Sequence, residues 1–208
     1  MKHTHIILLR GVMPTGKNKV PMARLREITL EAGYGRVQTW IQSGNLLLES
    51  EKDKEETAEH IRRLIRERIG PDLAVIIRSP EEILRALREC PFQTGFLPER
   101  VFYAFPQSPL TREAIAGLQA LVFDGEEDLR FGPGCLYLYI PGNAARTRLN
   151  NALLERISKT AFTTRNLNTL SRLVQLCGAV GEPSDSNQSV IALRAARNRG
   201  IIDSQQNG

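Results

Sequence analysis

The chain has 208 residues, of which 41% are hydrophobic and 25% are charged, and its formal net charge is +5 at pH 7. These values are ordinary for a globular protein with a sizeable apolar core. Aliphatic runs such as residues 6–9 and 74–77 are far too short to span a bilayer, so we expect no membrane segment and no signal peptide. Three cysteines without close spacing predict free thiols, a cytoplasmic location, and no metal site or cofactor.

The first eighty residues predict the order strand, helix, strand, strand, helix, strand. The strands are expected at residues 5–10, 36–42, 45–50 and 73–78, and the helices at residues 21–32 and 54–69. Glycines that follow each helical pattern favour these ends. The order is the split βαβ arrangement of the ferredoxin-like fold.

A connecting helix at residues 80–89 follows Ser79, which is a good N-cap residue, and a similar order then begins again. Further strands are expected at residues 100–105, 128–131 and 135–140, and further helices at 111–121, 147–158 and 167–177. We therefore predict an α+β protein with two ferredoxin-like subdomains and antiparallel sheets, at residues 1–79 and 80–177, and a flexible tail at 178–208. Only topology, and no residue-level repeat, relates the two subdomains.

Residues 11–17, Gly-Val-Met-Pro-Thr-Gly-Lys, have the spacing of a phosphate-binding P-loop after an apolar strand. Asn18 stands where such a loop needs a hydroxyl for magnesium, and Pro21 sets the helix start several residues beyond the lysine. The buried strands offer no terminal Asp either. The sequence excludes a P-loop NTPase but leaves a lysine-rich loop whose backbone is suited to binding an anion.

Positive charge is concentrated in two segments of the chain. Residues 10–26 carry five cations and no acid, and residues 141–177 carry six cations against one acid. An anionic partner would explain this concentration, although solvated faces would give the same composition.

The topology predicts where a binding site would lie. The first two strands of a split βαβ sheet run parallel, so the loop after the first strand and the hairpin after the second emerge at one edge. A second polar cluster, TTRN, precedes the last helix, where it would cap the helix or hold an anion. The candidate ligand-binding residues are Arg10, Gly11, Gly16, Lys17, Asn18, Lys19, Gln42, Ser43, Asn45, Thr164, Arg165 and Asn166.

Three blocks, LLRGVMPTGKNKVPM, WIQSGN and TTRNLNTL, resemble the signature of an uncharacterised, mainly bacterial family, domain-of-unknown-function family 1697. The resemblance extends over residues 5–177 and implies two ferredoxin-like subdomains. The chain departs from the family pattern at residues 13–15, Trp40 and Leu167. The resemblance implies no activity and no catalytic residue.

Three functions therefore stay open. The leading hypothesis is a binding module for an anionic ligand, either a nucleotide or a nucleic acid. The alternatives are an enzyme acting on a phosphorylated or carboxylated metabolite, and a protein–protein interaction module in which the blocks are structural. Burial and mutual bonding of Arg10, Asn18 and Asn45 would favour a structural role for the blocks.

An aromatic sheet face bears on the nucleic-acid hypothesis. Alternation places Tyr103, Tyr137 and Tyr139 on one face of the second sheet. An open face would stack bases, as RNA-recognition sheets do. We expect a covered face, because a two-domain chain must bury its apolar sheet surfaces.

Overall fold

The computed structural model describes residues 1–123 and 125–178. The first unit has the predicted order β-α-β-β-α-β. Its elements are β1 (His3–Leu9), α1 (Met22–Glu31), β2 (Gly35–Trp40), β3 (Asn45–Ser50), α2 (Lys54–Arg68) and β4 (Val75–Arg78). The strands pair in the order β2-β3-β1-β4, and each pair is antiparallel.

The second unit repeats this order after a connecting helix, α3 (Pro80–Arg88). It consists of β5 (Val101–Pro106), α4 (Arg112–Gln119), β6 (Asp128–Gly132), β7 (Cys135–Tyr139), α5 (Asn151–Ser158) and β8 (Phe162–Asn166), and α6 (Leu167–Leu176) follows it. Its strand order, β6-β7-β5-β8, matches that of the first sheet. The predicted mixed fold with two antiparallel four-stranded sheets is confirmed, and the strand order is consistent with ferredoxin-like units.

Two predicted elements differ from the structure. The TTRN segment, predicted to cap the last helix or hold an anion, belongs to strand β8, which pairs antiparallel with β5 along the sheet edge. Its β-branched residues Thr163 and Thr164 suit a strand, and pairing with β5 satisfies its backbone groups. Helix α5 begins later than predicted because the side chain of Asn150 accepts a hydrogen bond from the Leu153 N–H and caps the helix there.

The two sheets share one core. Helices α1 and α2 cover the outer face of the first sheet, and α4 and α5 cover the outer face of the second. The inner faces of both sheets pack with α3 and α6 in a common apolar cluster. The division of the chain near Ser79 stays a prediction. The predicted tail, apart from Gly178, lies outside the described residues.

The aromatic face of the second sheet is covered, as expected. Tyr103, Tyr137 and Tyr139 are buried within the common cluster. The hydroxyl of Tyr137 donates a hydrogen bond to the carbonyl of Ala86 in α3, at 2.9 Å. These rings therefore have no free face on which a base could stack. In the part of the chain that the structure describes, every helix is too short or too polar to cross a membrane.

Candidate functional site

The β1–α1 loop (residues 10–21) and the β2–β3 hairpin (residues 41–44) lie side by side at one end of the first sheet, where the parallel strands place them. The backbone N–H of Leu9 donates to the Gly44 carbonyl at 2.8 Å, and Gln42 Nε2 donates to the Val20 carbonyl at 2.9 Å. Gly44 has a φ of +80°, and a Cβ atom there would lie 2.6 Å from Val12 Cγ2. The two segments are thus in direct contact, and glycine is required at their closest approach.

The β1–α1 loop is held by its own hydrogen bonds. The Met13 N–H donates to the Asn18 carbonyl at 3.1 Å, and the Lys19 N–H donates to the Gly16 carbonyl at 3.1 Å. Asn18 Nδ2 donates to the Gly11 carbonyl at 3.3 Å. The side chain of Asn18, which stands where a P-loop has its hydroxyl, therefore helps to close the loop.

Arg10 is neutralised by an ion pair that joins the two units. Its Nε and Nη2 atoms donate to the two carboxylate oxygens of Glu155 in α5, at 2.7 and 2.9 Å. Glu155 Oε1 also accepts the Phe162 N–H at 2.9 Å. Burial opposes ionisation of Glu155, but the hydrogen bonds from Arg10 and Phe162 outweigh it and hold the pKa of this carboxyl below its usual value. Arg10 therefore has little charge left for a ligand.

Arg165, expected to bind an anion, instead binds the first unit from strand β8. Its five N–H groups have protein acceptors, and none of these is a carboxylate. The acceptors are Asn45 Oδ1 at 2.6 Å, Thr163 Oγ1 at 2.7 Å, and the carbonyls of Thr164 at 2.9 Å, Leu9 at 3.0 Å and Ser43 at 2.9 Å. Burial lowers the pKa of Arg165 to about 10, so the side chain is still charged at neutral pH.

Other residues of the three blocks are also bonded within the protein. Asn45 is fully buried and donates to the Trp40 carbonyl and to Ser43 Oγ, both at 3.0 Å. Thr164 Oγ1 donates to Asn151 Oδ1 at 2.6 Å, and Asn166 caps α6. Of the three residues in the structural condition, Asn45 is buried, whereas Arg10 and Asn18 are partly buried and the three are bonded to other residues rather than to one another.

Lys17 and Lys19 remain exposed at the tip of the loop, and neither forms an ion pair with any described residue. They precede α1, whose N-cap residue, Pro21, makes no side-chain hydrogen bond, and whose first turn contains no acidic residue. Each of the other five described α-helices is capped by a side chain. The capping residues are Asp53, Ser79, Thr111, Asn150 and Asn166. The uncapped N–H groups and the two lysines make this a region of positive potential.

The sequence did not single out Arg78, at the end of β4. It is partly buried and donates to the carbonyls of Ile77 at 2.7 Å and Pro106 at 2.6 Å. The sequence does contain a pattern that could have identified Arg78. Like Arg165, it directly precedes the N-cap residue of a helix, Ser79 or Asn166. Arg78 also lines a cavity of about 660 Å³ between the two units.

Reactive and metal-binding groups give no second site in residues 1–123 and 125–178. No group of three or more His, Cys, Asp or Glu side chains in these ranges could hold a metal ion. The thiols of Cys90, Cys135 and Cys177 are buried and free. Burial raises the pKa of Cys135 and Cys177 to about 12, so these two thiols are protonated and poorly nucleophilic.

The fold and these contacts define a class of protein in which two similar α/β units are joined by reciprocal polar contacts. The chain belongs to the family described as protein of unknown function (DUF1697), whose family model matches residues 1–137. The predicted resemblance is confirmed, while the TTRN block lies beyond the matched residues.

A solved structure shares this fold. The conserved bacterial protein SP0830 from Streptococcus pneumoniae is similar with a TM-score of 0.69 and 24% sequence identity, over 85% of this chain and 98% of that protein. Among curated protein sequences, none matches the chain.

Proposed function

We propose that the protein binds an anionic ligand, a nucleotide or a nucleic acid, through phosphate groups at the β1–α1 loop. The observation that carries the proposal is the pair of exposed lysines, Lys17 and Lys19, which form no ion pair with the described residues. They stand directly before the uncapped start of α1. Lysine ammonium groups and free helix N–H groups together provide the charge and the donors that a phosphate group needs.

The internal hydrogen bonds of the β1–α1 loop support this proposal. The hydrogen bonds of Asn18 and Gly16 fix the loop before any ligand arrives, so less conformational entropy is lost on binding. Arg26 adds an exposed cation on α1, whereas Arg24 pairs with Glu27 at 2.7 Å. The buried residues of the signature blocks therefore support the loop, and the exposed lysines contact the ligand.

A protein partner is the second candidate. Met13 and Ile41 are large apolar side chains in the same loop and hairpin, and they are 53% and 50% exposed. Apolar residues beside unpaired cations would suit a partner with an acidic and apolar surface. Such a partner would depend on Met13 and Ile41 as well as on the lysines.

A thermal-shift screen tests the anion proposal. Inorganic phosphate, nucleotides and short oligonucleotides are added to the wild type and to the Lys17→Ala/Lys19→Ala variant. Lys52→Ala is the matched control, because Lys52 is an exposed lysine in the β3–α2 turn at the opposite end of the first sheet. A ligand that binds only the folded state raises the Tm. We expect a rise for the wild type and for Lys52→Ala and none for the double variant; equal shifts in all three, or none in any, would reject the site.

A further inference from the structure

Arg78 and Arg165 occupy corresponding positions in the two units. Arg78 pairs with Ile6 in β1 and Arg165 pairs with Tyr103 in β5, in each case three residues before the end of that strand. Each arginine is followed by the N-cap residue of a helix, α3 or α6, that packs into the common core. The correspondence therefore extends from topology to individual residues.

Three hydrogen bonds of Arg78 have a counterpart at Arg165, and in each case the same guanidinium nitrogen is the donor. Nη1 donates to the preceding residue's carbonyl, at 2.7 Å for Ile77 and 2.9 Å for Thr164. Nη2 donates to the last residue of the other unit's first strand, at 2.6 Å for Pro106 and 3.0 Å for Leu9. It also reaches a hairpin glycine of that unit, Gly134 or Gly44, at 3.5 and 3.4 Å.

The two arginines differ in the acceptors that remain. Nε of Arg165 donates to Asn45 Oδ1, but the first residue of the corresponding strand β7 is Cys135. Nη1 of Arg165 also donates to Thr163 Oγ1, but the residue two before Arg78 is Ile76. The Nε–H and one Nη1–H of Arg78 thus lack an acceptor among the described residues.

The unpaired Nε of Arg78 keeps some exposure to solvent. In the described part of the chain, His5 Nδ1 is the one buried side-chain polar atom that has no hydrogen-bond partner. The unpaired Nε of Arg78 is therefore not a buried atom, and the side chain lines the cavity of about 660 Å³. A cavity of this volume is large enough for a small organic ligand.

An ion pair lines the corresponding cavity, of about 520 Å³, at the other junction. Arg10, the first residue after β1, pairs there with Glu155, five residues after the N-cap of α5. The first residue after β5 is Gln107, and its N–H donates to Ala161 at 2.8 Å as that of Arg10 donates to Ala74 at 3.0 Å. The residue five positions after the N-cap of α2 is Ala58, and both Ala58 and Gln107 line the cavity. At these two positions the cavity at Arg78 therefore lacks the carboxylate and the guanidinium that line the cavity at the other junction.

The charged residues around the cavity limit the charge that a ligand can carry. Lys54 pairs with Glu82 and Arg62 pairs with Asp72, both at 2.6 Å, so Arg78 is the lining cation without an ion pair in the described chain. Two exposed acidic residues of α2, Glu55 and Glu59, also line the cavity. One free cation suits one negative charge, whereas the acidic residues oppose a dianion and attract an amine.

We infer that this cavity binds a small molecule through a single carboxylate at Arg78, and that it favours ligands that also carry an amine, such as amino acids. Nη2 of Arg78 is bonded to Pro106, so the free Nε–H offers the carboxylate one charge-assisted hydrogen bond. The site is separate from the β1–α1 loop and does not depend on the function proposed for that loop.

An NMR titration tests this inference. The common amino acids, acetate and inorganic phosphate are added to labelled protein, and the Arg78 Nε–H and Gln107 side-chain amide signals are followed. We expect saturable shifts of both signals with an amino acid, weaker binding of acetate, and the weakest binding of phosphate. Arg78→Gln should weaken binding about tenfold or more, since a charge-assisted hydrogen bond is lost. Absence of saturable shifts with every amino acid and with acetate, or tighter binding of phosphate, would overturn the inference.

Two further variants keep the test independent of folding and of the proposed function. Ala58→Glu/Gln107→Arg would rebuild the ion pair of the other junction inside the cavity. We expect this variant to remain folded, with a Tm close to that of the wild type, and to lose the titration. Lys17→Ala/Lys19→Ala should leave the titration unchanged. Unaltered binding in the folded ion-pair variant, or loss of binding in the lysine variant, would reject the cavity as the site.

Discussion

Arg78 and Arg165 connect the two units in opposite directions. Nη2 of Arg78, in the first sheet, donates to the Pro106 carbonyl at the end of β5, and Nη2 of Arg165, in the second sheet, donates to the Leu9 carbonyl at the end of β1. Each guanidinium crosses the junction to the end of the other unit's first strand. Both arginines precede a helix of the common core, so the same segments fix the junction and the core.

The unequal number of acceptors predicts unequal losses of stability. Arg165→Met leaves several carbonyl and amide oxygens without donors, and each buried unpaired acceptor costs about 1–3 kcal/mol before relaxation. We expect this substitution to lower the free energy of unfolding by about 3 kcal/mol, and Arg78→Met to lower it by about 1 kcal/mol. Urea denaturation measures both values. Equal losses, or a larger loss for Arg78→Met, would show that the hydrogen bonds of Arg165 do not set its contribution to stability.

Two glycines of the candidate site should respond differently to alanine. Gly44 and Gly16 have φ values of +80° and +78°, so both substitutions incur the backbone cost of a left-handed residue. A Cβ at Gly44 would lie 2.6 Å from Val12 Cγ2 and 2.8 Å from Leu9 Cβ, whereas no atom lies within 4 Å of a Cβ at Gly16. We expect a loss of about 1 kcal/mol for Gly16→Ala and about 3 kcal/mol or more for Gly44→Ala. Similar melting temperatures for the two variants would contradict the close packing of hairpin and loop.

Glu155 should contribute to the acid sensitivity of the fold. The hydrogen bonds from Arg10 and Phe162 outweigh burial and depress the pKa of the Glu155 carboxyl below its usual value of 4.5. A depressed pKa gives stability that is present above the unfolded-state pKa and is lost as the pH falls through the folded-state pKa. Urea midpoints at neutral pH and near pH 3 should therefore differ less for Glu155→Gln than for the wild type.

Glu99→Gln is the control for this measurement, because Glu99 is exposed and forms no ion pair with the described residues. It should keep the pH dependence of the wild type. A Glu155→Gln variant with the same loss between the two pH values as the wild type would show that the Arg10–Glu155 pair contributes nothing to acid stability.

Ile41 adopts an unfavourable backbone conformation. This β-branched residue has a φ of +50°, and its side chain is half exposed. Left-handed conformations cost a non-glycine residue about 1–2 kcal/mol, and asparagine tolerates them better than isoleucine. We expect Ile41→Asn to raise the free energy of unfolding by about 1 kcal/mol in urea denaturation. A loss of stability would mean that apolar contacts of Ile41 within the chain exceed the backbone strain.

Much of the fold followed from the sequence because its signals are local. Alternating and helical apolar patterns, with glycines and N-cap residues at the boundaries, placed most elements within a few residues of their observed ends. The parallel direction of β1 and β2 also placed the β1–α1 loop beside the β2–β3 hairpin. Strand β8 was missed because Thr-Thr-Arg-Asn carries the polar residues of a cap, and only its pairing with β5 makes it a strand.

The roles of the site residues could not be predicted in the same way. Arg165 meets Leu9, Ser43 and Asn45, which lie at least 120 positions away in the sequence, and two of these three acceptors are backbone carbonyls. Residue types do not reveal which carbonyls face a distant guanidinium. The residue pattern predicts a ligand for Arg165, whereas in the tertiary structure its N–H groups donate to protein acceptors.

The central claim is that Lys17 and Lys19 bind phosphate while the buried polar residues hold the loop in place. The most direct measurement is fluorescence anisotropy of a labelled nucleotide and a labelled single-stranded oligonucleotide at two salt concentrations, with the wild type, Lys17→Ala/Lys19→Ala and Lys52→Ala. We predict that the wild type and Lys52→Ala bind at least one probe with affinity that falls as salt rises, and that the double variant loses most of this affinity. For an oligonucleotide, the salt slope should drop by about 1.4, because each lysine–phosphate contact contributes about 0.7. Identical affinities and salt slopes for all three proteins would contradict the claim.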